Sequence, residues 1–285
     1  MYKRQPVMVM LLFLVAVQLL ALAITPAITA SGNRVFEDPE STANPFIYLA
    51  LILGFTALLL LAMRMGQSWL IGGFILISIA ASIYYVLVAF LPPHLALPPA
   101  IAMLLLLLIY PEWYIIDGFG ILICAGIASI FGVSMTVLPA LMLLVVLAVY
   151  DAVSVYKTHH MISLAEGAIA IKAPLLFVVP RSRGYSFRRD QAVISKEGGR
   201  GAYFLGLGDA IIPTILVISA NWSIDAVRYI GINLPAIGAM LGTYMGFLLL
   251  MATSRERPQA GLPFLNSGVI LGMLAGCAVS GAWPL

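Results

Sequence analysis

Two aspartates stand in this sequence where aspartates are expensive. Asp151 lies in LAVYDAVSVY and Asp209 in FLGLGDAIIP, each inside a long apolar run. An Asp at the centre of a membrane helix costs about 2.5–3.5 kcal/mol on insertion scales, so such residues face a protein interior or a water-filled cavity and mark function. Asp151 stands six residues before Lys157, and Asp209 nine residues after Arg200. With a rise of about 1.5 Å per residue, both lie ~9–14 Å below the same membrane face. Consecutive helices are usually neighbours, so the carboxyls can meet across one helix pair. Two carboxyls in a poorly polar site cannot both ionise easily, and near neutral pH the pair shares one proton. The ionised member can take a proton from water, while the protonated member polarises a carbonyl and later helps an amine leave. Those are the requirements of direct amide hydrolysis. Which aspartate holds the proton is a property of the pair.

The residues around Asp209 suit a reacting site. Gly206 and Gly208 remove side-chain bulk just before it, so a second backbone can approach closely. Pro213 stands four residues after it. Proline has no N–H, so the Asp209 carbonyl loses its helical partner and the helix is expected to kink or open there. Glu112 and Asp117 flank a short turn and are read as solvated interface residues, as is Asp225 in an outer loop.

Composition says what must position these groups. Hydrophobic residues make up 62% of the 285 residues and charged residues 9%, far from the roughly 25% charged of a soluble domain. The bilayer must be the solvent. A membrane helix takes about 20 mostly apolar residues, so the length leaves room for about eight to ten. Apolar runs mark nine, at 7–30, 45–63, 69–91, 98–111, 115–131, 136–156, 201–220, 226–250 and 262–283. The first exceeds the ~7–15 residues of a signal-peptide core and is read as a membrane helix. With the N-terminus inside, 13 of the 15 Lys and Arg fall on the inner side and only Arg34 and Arg228 outside, as positive-inside placement requires. The C-terminus is then outside.

This yields an all-α polytopic membrane protein in three parts. Residues 1–156 form six helices carrying Asp151. Residues 157–200 form a basic inner loop, and 201–285 three helices carrying Asp209. A tenth span over 161–180 is rejected, because Glu166, Lys172, Pro174 and Pro180 oppose it and it would move Arg181 to Arg200 outside. The reading is an interfacial helix near 161–171, an extended piece from Leu175 to Val179, and a mobile polar loop over 181–200. A helical substrate must be unwound before hydrolysis, and a strand edge can hold it extended. The edge at Leu175–Val179 is the first candidate and Ala192–Ser195 a weaker one.

The motifs resemble a known family. Tyr150-Asp151 is similar to the YD motif, and Gly206-Leu207-Gly208-Asp209 to the GxGD motif, of the presenilin and signal peptide peptidase proteases. The third signature of that family, PAL at the start of the last helix, corresponds to Ala260-Gly261-Leu262-Pro263. Leu262 and Pro263 fit its longer PALP form, whereas Ala260 and Gly261 depart from it. The resemblance covers nearly the whole chain and looks like a compact prokaryotic or archaeal member. It implies nine membrane helices, catalysis by Asp151 and Asp209, and support or substrate binding by Tyr150, Gly206, Leu207, Gly208, Gly261, Leu262 and Pro263. It implies an intramembrane aspartyl protease whose partners are transmembrane peptides or proteins and the lipid bilayer, in the cell membrane.

Other constellations carry less. Cys124 and Cys277 lie in apolar runs and read as packing. His159-His160 do not share a helix face and lack metal-ligand spacing, so neither a metal nor an organic cofactor is expected. Ser78, Ser82 and Ser129 read as helix-packing residues. Asn221-Trp222-Ser223 is a formal glycosylation sequon. A net charge of +3 implies no nucleic acid, and self-association stays open. A proton-coupled secondary transporter would also use intramembrane acids, but no paired broken segments mark two repeated halves. A channel-like leak through the same cavity is a weaker variant. Prepilin-type peptidases share GxGD but usually place a basic residue two positions later, where this chain has Ala210-Ile211.

Overall fold

The computed structural model of the chain describes residues 4–32, 34–65, 68–157, 176–180, 185–186, 202–253 and 259–283. Among the described residues there are nine helices: α1 (Arg4–Ala30), α2 (Asn44–Arg64), α3 (Ser68–Val88), α4 (Pro93–Ile109), α5 (Trp113–Val133), α6 (Val137–Tyr156), α7 (Leu207–Ser223), α8 (Leu234–Thr253) and α9 (Leu262–Ser280). Two antiparallel strand pairs accompany them, β1 (Leu176–Pro180) with β2 (Ala202–Gly206) and β3 (Arg228–Tyr229) with β4 (Ile232–Asn233). Helices α1, α5, α6, α8 and α9 are long and apolar enough to cross a membrane; α2, α3, α4 and α7 carry shorter apolar stretches. Large apolar side chains such as Leu12, Leu51, Ile77, Ile109, Met245 and Leu271 point outward. Lipid tails can cover such a surface where water could not do so cheaply.

Helix α7 is the axis of the assembly. It contacts α1, α5, α6, α8 and α9, and every residue from Ile212 to Ala220 is buried. A helix apolar on all sides finds its place inside rather than at a surface. Its neighbours on one side form a core from Leu143, Leu144 and Leu147 of α6, Ala236 and Ala239 of α8, and Val269 and Met273 of α9. On the other, Phe177 of β1 packs with Leu14 of α1, Cys124 of α5 and Phe247 of α8. Ser129 of α5 donates to the Ala21 carbonyl of α1 at 2.9 Å and to its own Ala125 carbonyl at 2.7 Å, a helix-packing role as its sequence setting suggested.

The closest helix pair is α8 with α9. A Cβ on Gly238 would strike the Gly272 carbonyl, one on Gly242 the Gly268 carbonyl, and one on Gly246 the Phe264 carbonyl. Three glycines four residues apart on one helix thus face a similar series on the other. Small residues at this spacing let membrane helices touch backbone to backbone.

Several boundaries differ from the sequence reading, each for a local reason. Helix α4 starts at Pro93, not 98, because proline is favoured in a first helical turn. Residues 202–206 continue the apolar run of the seventh helix but form strand β2, since they find a partner in 176–180. The eighth helix starts at Leu234 rather than 226. Ahead of it, Ile230 and Gly231 both take positive φ, at 53° and 83°, the mirror-image turn that suits a two-residue hairpin. Asn233 then caps α8 by accepting the Ala236 N–H at 2.9 Å, while its amide donates to the Ala220 and Ile224 carbonyls at the end of α7. Its own N–H donates to Asn221 Oδ1 at 2.8 Å, so the sequon asparagine is tied to the hairpin.

Helix α7 also runs on through Pro213 instead of opening there. One turn of support comes from Thr214, whose hydroxyl donates to the Ala210 carbonyl at 2.6 Å. The extended piece near Leu175–Val179 is seen as strand β1 from Leu176 onward. The interfacial helix near 161–171, the edge at Ala192–Ser195, His159-His160 and most of the 181–200 loop lie outside the described residues.

Candidate active site

The end of α6, the start of α7 and the start of α9 meet around one residue pair, Gly261-Leu262. Asp151 is buried in the last turns of α6. Its Oδ2 accepts the Leu262 N–H at 3.1 Å, and the Gly261 N–H also lies within hydrogen-bonding reach of the carboxyl. The first N–H groups of any helix lack intrahelical acceptors, and here a side chain from another helix supplies one. Among the described residues, Asp151 caps α9 without belonging to it.

Asp209 approaches the same pair from the other side. A Cβ built on Gly261 would stand 3.0 Å from Asp209 Oδ2 and 3.1 Å from its Cγ and Oδ1. Glycine is therefore the residue that lets the backbone pass this close to the carboxyl. Asp209 occupies the third position of α7, after the cap residue Gly206. It reaches back toward the Gly206 N–H, in the manner of the acidic member of a capping box. The two carboxyls are near enough for their charges to repel. The arrangement brings two buried acids to the same Gly261-Leu262 backbone.

The supporting positions fall around this centre. Leu207 is buried and its carbonyl receives the Cys124 thiol at 3.7 Å. Gly206 lies beside Asp209, a Cβ there standing 3.3 Å from Oδ2. At Gly208 a Cβ would touch nothing within 4 Å among the described residues, and the close contacts of Gly206 and Gly261 are with the Asp209 carboxyl rather than with a second backbone approaching Gly206 or Gly208. Tyr150 is half-buried next to Asp151, and Pro263 follows Leu262 in the first turn of α9. Ala260, which departs from the PAL pattern, is fully buried, and its N–H donates to the Tyr156 hydroxyl at 3.4 Å.

Sequence reasoning missed two residues that hold this centre, Tyr156 and Asn266, and misjudged the burial of two more, Asp117 and Glu112. Tyr156 touches Ala260 as just described. Asn266, one turn into α9, donates to the Leu144 carbonyl of α6 at 2.8 Å; an asparagine within an apolar run was its available signal. Asp117 and its neighbour Glu112, expected to be solvated, are both buried, at 3% and 8% exposure. Asp117 Oδ1 accepts the Val178 N–H of β1 at 2.7 Å, and Glu112 Oε1 accepts the Ser186 hydroxyl at 2.7 Å. A chain segment remote in sequence covers them, which no local pattern reveals.

The Asp117 bond also settles which way β1 faces. In an antiparallel pair a residue's N–H and C=O point to the same side. Val178 gives its N–H to Asp117, so its edge faces α5, and that edge is not open to a substrate at Val178. Its partner Phe204 likewise turns its backbone groups away from β1.

Among the described residues no group of three or more His, Cys, Asp or Glu stands ready to hold a metal. Cys124 and Cys277 are buried and unpaired with each other.

Comparison with known proteins places this arrangement in context. The family model "Signal-peptide peptidase, presenilin aspartyl protease" matches residues 10–282. Two solved structures of a presenilin family intramembrane aspartate protease are similar over nearly their whole length. The one in the C222 space group is 36% identical, covers 96% of this chain and 98% of its own, and superposes with a TM-score of 0.69. The one in the P2 space group is 37% identical, covers 97% and 99%, and has a TM-score of 0.70. A comparison with curated proteins finds no match.

Proposed function

The chain belongs to the signal-peptide peptidase and presenilin family of intramembrane aspartyl proteases, and from that premise we propose that Asp151 and Asp209 are its two catalytic carboxyls. The observation that carries the proposal is their convergence on Gly261-Leu262. One carboxylate takes a proton from water as the water attacks the scissile carbonyl. The other, protonated, donates its proton to the carbonyl oxygen; as the gem-diol collapses, the first carboxyl passes the proton it took from water to the leaving amine and the second takes its own proton back from the gem-diol hydroxyl. The pair holds one proton throughout, so no metal is required. Tyr150, Leu207, Gly208 and Pro263 support the acids from their flanks, while Gly206 and Gly261 keep side-chain bulk away from the Asp209 carboxyl and Leu262 gives its N–H to Asp151.

The substrates are transmembrane helices of other chains, reached from the bilayer of the cell membrane. All nine helices span it in this reading, the four shorter ones included, with the N-terminus inside and the C-terminus outside. Residues 1–156, 157–200 and 201–285 act as a six-helix part, an inner loop and a three-helix part. An unwound substrate needs a strand edge, because an unpaired backbone in lipid costs several kcal/mol per group (about the cost of a lost hydrogen bond in an apolar medium). The register favours the edge of β2 that carries Phe204, which leads within five residues to Asp209.

Both acids also act as caps, so alanine variants alone would confuse lost chemistry with lost structure. The test is cleavage of a labelled transmembrane peptide by purified protein beside Asp151→Asn and Asp209→Asn. Asparagine keeps a hydrogen-bond acceptor and removes the ionisable group. Folded but inactive variants are expected; cleavage by both at the parent rate would refute the assignment.

A further inference from the structure

Helix α5 holds the hairpin that leads into Asp209, and it does so along one face. Asp117, Gly120 and Cys124 are spaced i, i+3 and i+7, which aligns them on one side of a helix. Asp117 accepts the Val178 N–H at 2.7 Å. A Cβ on Gly120 would stand 3.0 Å from Phe177 Cε1 and 3.3 Å from Leu207 Cδ2. The Cys124 thiol reaches the Leu207 carbonyl. One stripe of α5 therefore touches β1 and also the residue two positions before Asp209.

Asp117 is the costly member of that stripe. It is 3% exposed, and among the described residues its Oδ2 has no hydrogen-bond partner. A buried carboxyl oxygen without a partner is unfavourable, and an apolar residue would fill the place more cheaply if packing were all that was needed. What the carboxyl supplies is an acceptor for the strand N–H that β2 does not use.

We propose that Asp117 is a positioning residue of the protease: by holding Val178 it fixes β1, and through β1 the strand β2 that runs directly into Asp209, so that it sets which peptide bond is presented to the two carboxyls. The inference rests on the protease reading of the Asp151–Asp209 site. Asp117 touches neither reacting group. It acts through the β1–β2 ladder, in which Phe177 with Leu205 and Val179 with Tyr203 are the pairs whose backbone groups face each other and Leu176 stands opposite Gly206, the cap residue of the Asp209 helix.

The test compares the full-length parent with Asp117→Ala and Asp117→Asn, using one labelled transmembrane peptide, product masses, and amide hydrogen exchange over 176–180. Loss of the tether in the alanine variant is expected to lower kcat/KM per folded molecule about 10- to 100-fold, the scale of an ångström-sized misplacement. Its products should spread over neighbouring peptide bonds, and exchange in 176–180 should quicken. Asparagine still offers an oxygen to Val178 and should restore all three. Should the alanine variant not fold, Asp117→Ser takes its place, since its hydroxyl is too short to reach the strand. Unchanged products at the parent rate would overturn the proposal. So would an asparagine variant as impaired as alanine, because charge rather than strand tethering would then be at work. If the parent cleaves nothing, the protease reading fails, while exchange still decides the tether: quickened in alanine and restored in asparagine supports it, and equal in all three overturns it.

Discussion

Glycine does opposite things in two parts of this molecule. In the α8–α9 pair, Gly238, Gly242, Gly268 and Gly272 each face backbone of the opposite helix, and a Cβ at any of them would collide with it. In α2 and α3, Gly54, Gly72 and Gly73 would meet nothing within 4 Å. The first region is a rigid seam that ends at Gly261-Leu262, beside both aspartates. The second is a mantle whose large side chains, among them Leu51, Leu53 and Ile77, are exposed. Precision is concentrated where the acids must be held. The mantle needs only to be apolar and long enough for lipid.

Breaking the seam should have the largest effect. Gly242→Leu forces a side chain into the Gly268 carbonyl, and overpacking of this kind costs about 3 kcal/mol or more. Thermal unfolding in detergent is expected to show that loss, whereas Gly72→Leu in the mantle should leave the midpoint where it was. Equal losses at both positions would erase the contrast between the regions.

A narrower probe sits where the seam meets the acids. Gly261→Val adds bulk 3.0–3.1 Å from the Asp209 carboxyl atoms. We expect activity to fall roughly 100-fold, the scale set by misplacing reacting groups by about an ångström, with most of the folded protein retained. Turnover measured against the folded fraction separates the two effects.

Smaller again is Asn266→Ala, which removes the tie from α9 to the Leu144 carbonyl of α6. Hydrogen bonds between membrane helices are worth about 0.6 kcal/mol on average, so unfolding should shift only slightly. Ser129→Ala, which loosens α1 from α5, should cost about as little by the same measure.

The contrast also explains what could be read from the sequence. Membrane helices must satisfy their backbones internally and expose apolar side chains over some 20 residues, so the apolar runs that form the nine helices of the described residues were legible. The two acids were legible because each breaks an otherwise apolar run. Most hidden features depend on residues far apart in sequence. AYFLG at 202–206 looks like the start of a helix until 176–180 pairs with it. Glu112 and Asp117 look solvated until β1 and Ser186 cover them. The apolar run at 98–111 left out the first turns of α4, which starts at Pro93. The glycines of α8 and α9 gain their meaning only once the helices are seen face to face.

The central claim is that Asp151 and Asp209 perform chemistry beyond capping α9 and α7. Cleavage of a labelled transmembrane peptide by folded Asp151→Asn and Asp209→Asn, each beside the parent protein, tests it most directly. Cleavage by the parent and none by either variant is expected, with unfolding midpoints close to the parent value. Parent-like cleavage by the two variants would contradict it and leave both aspartates as structural caps.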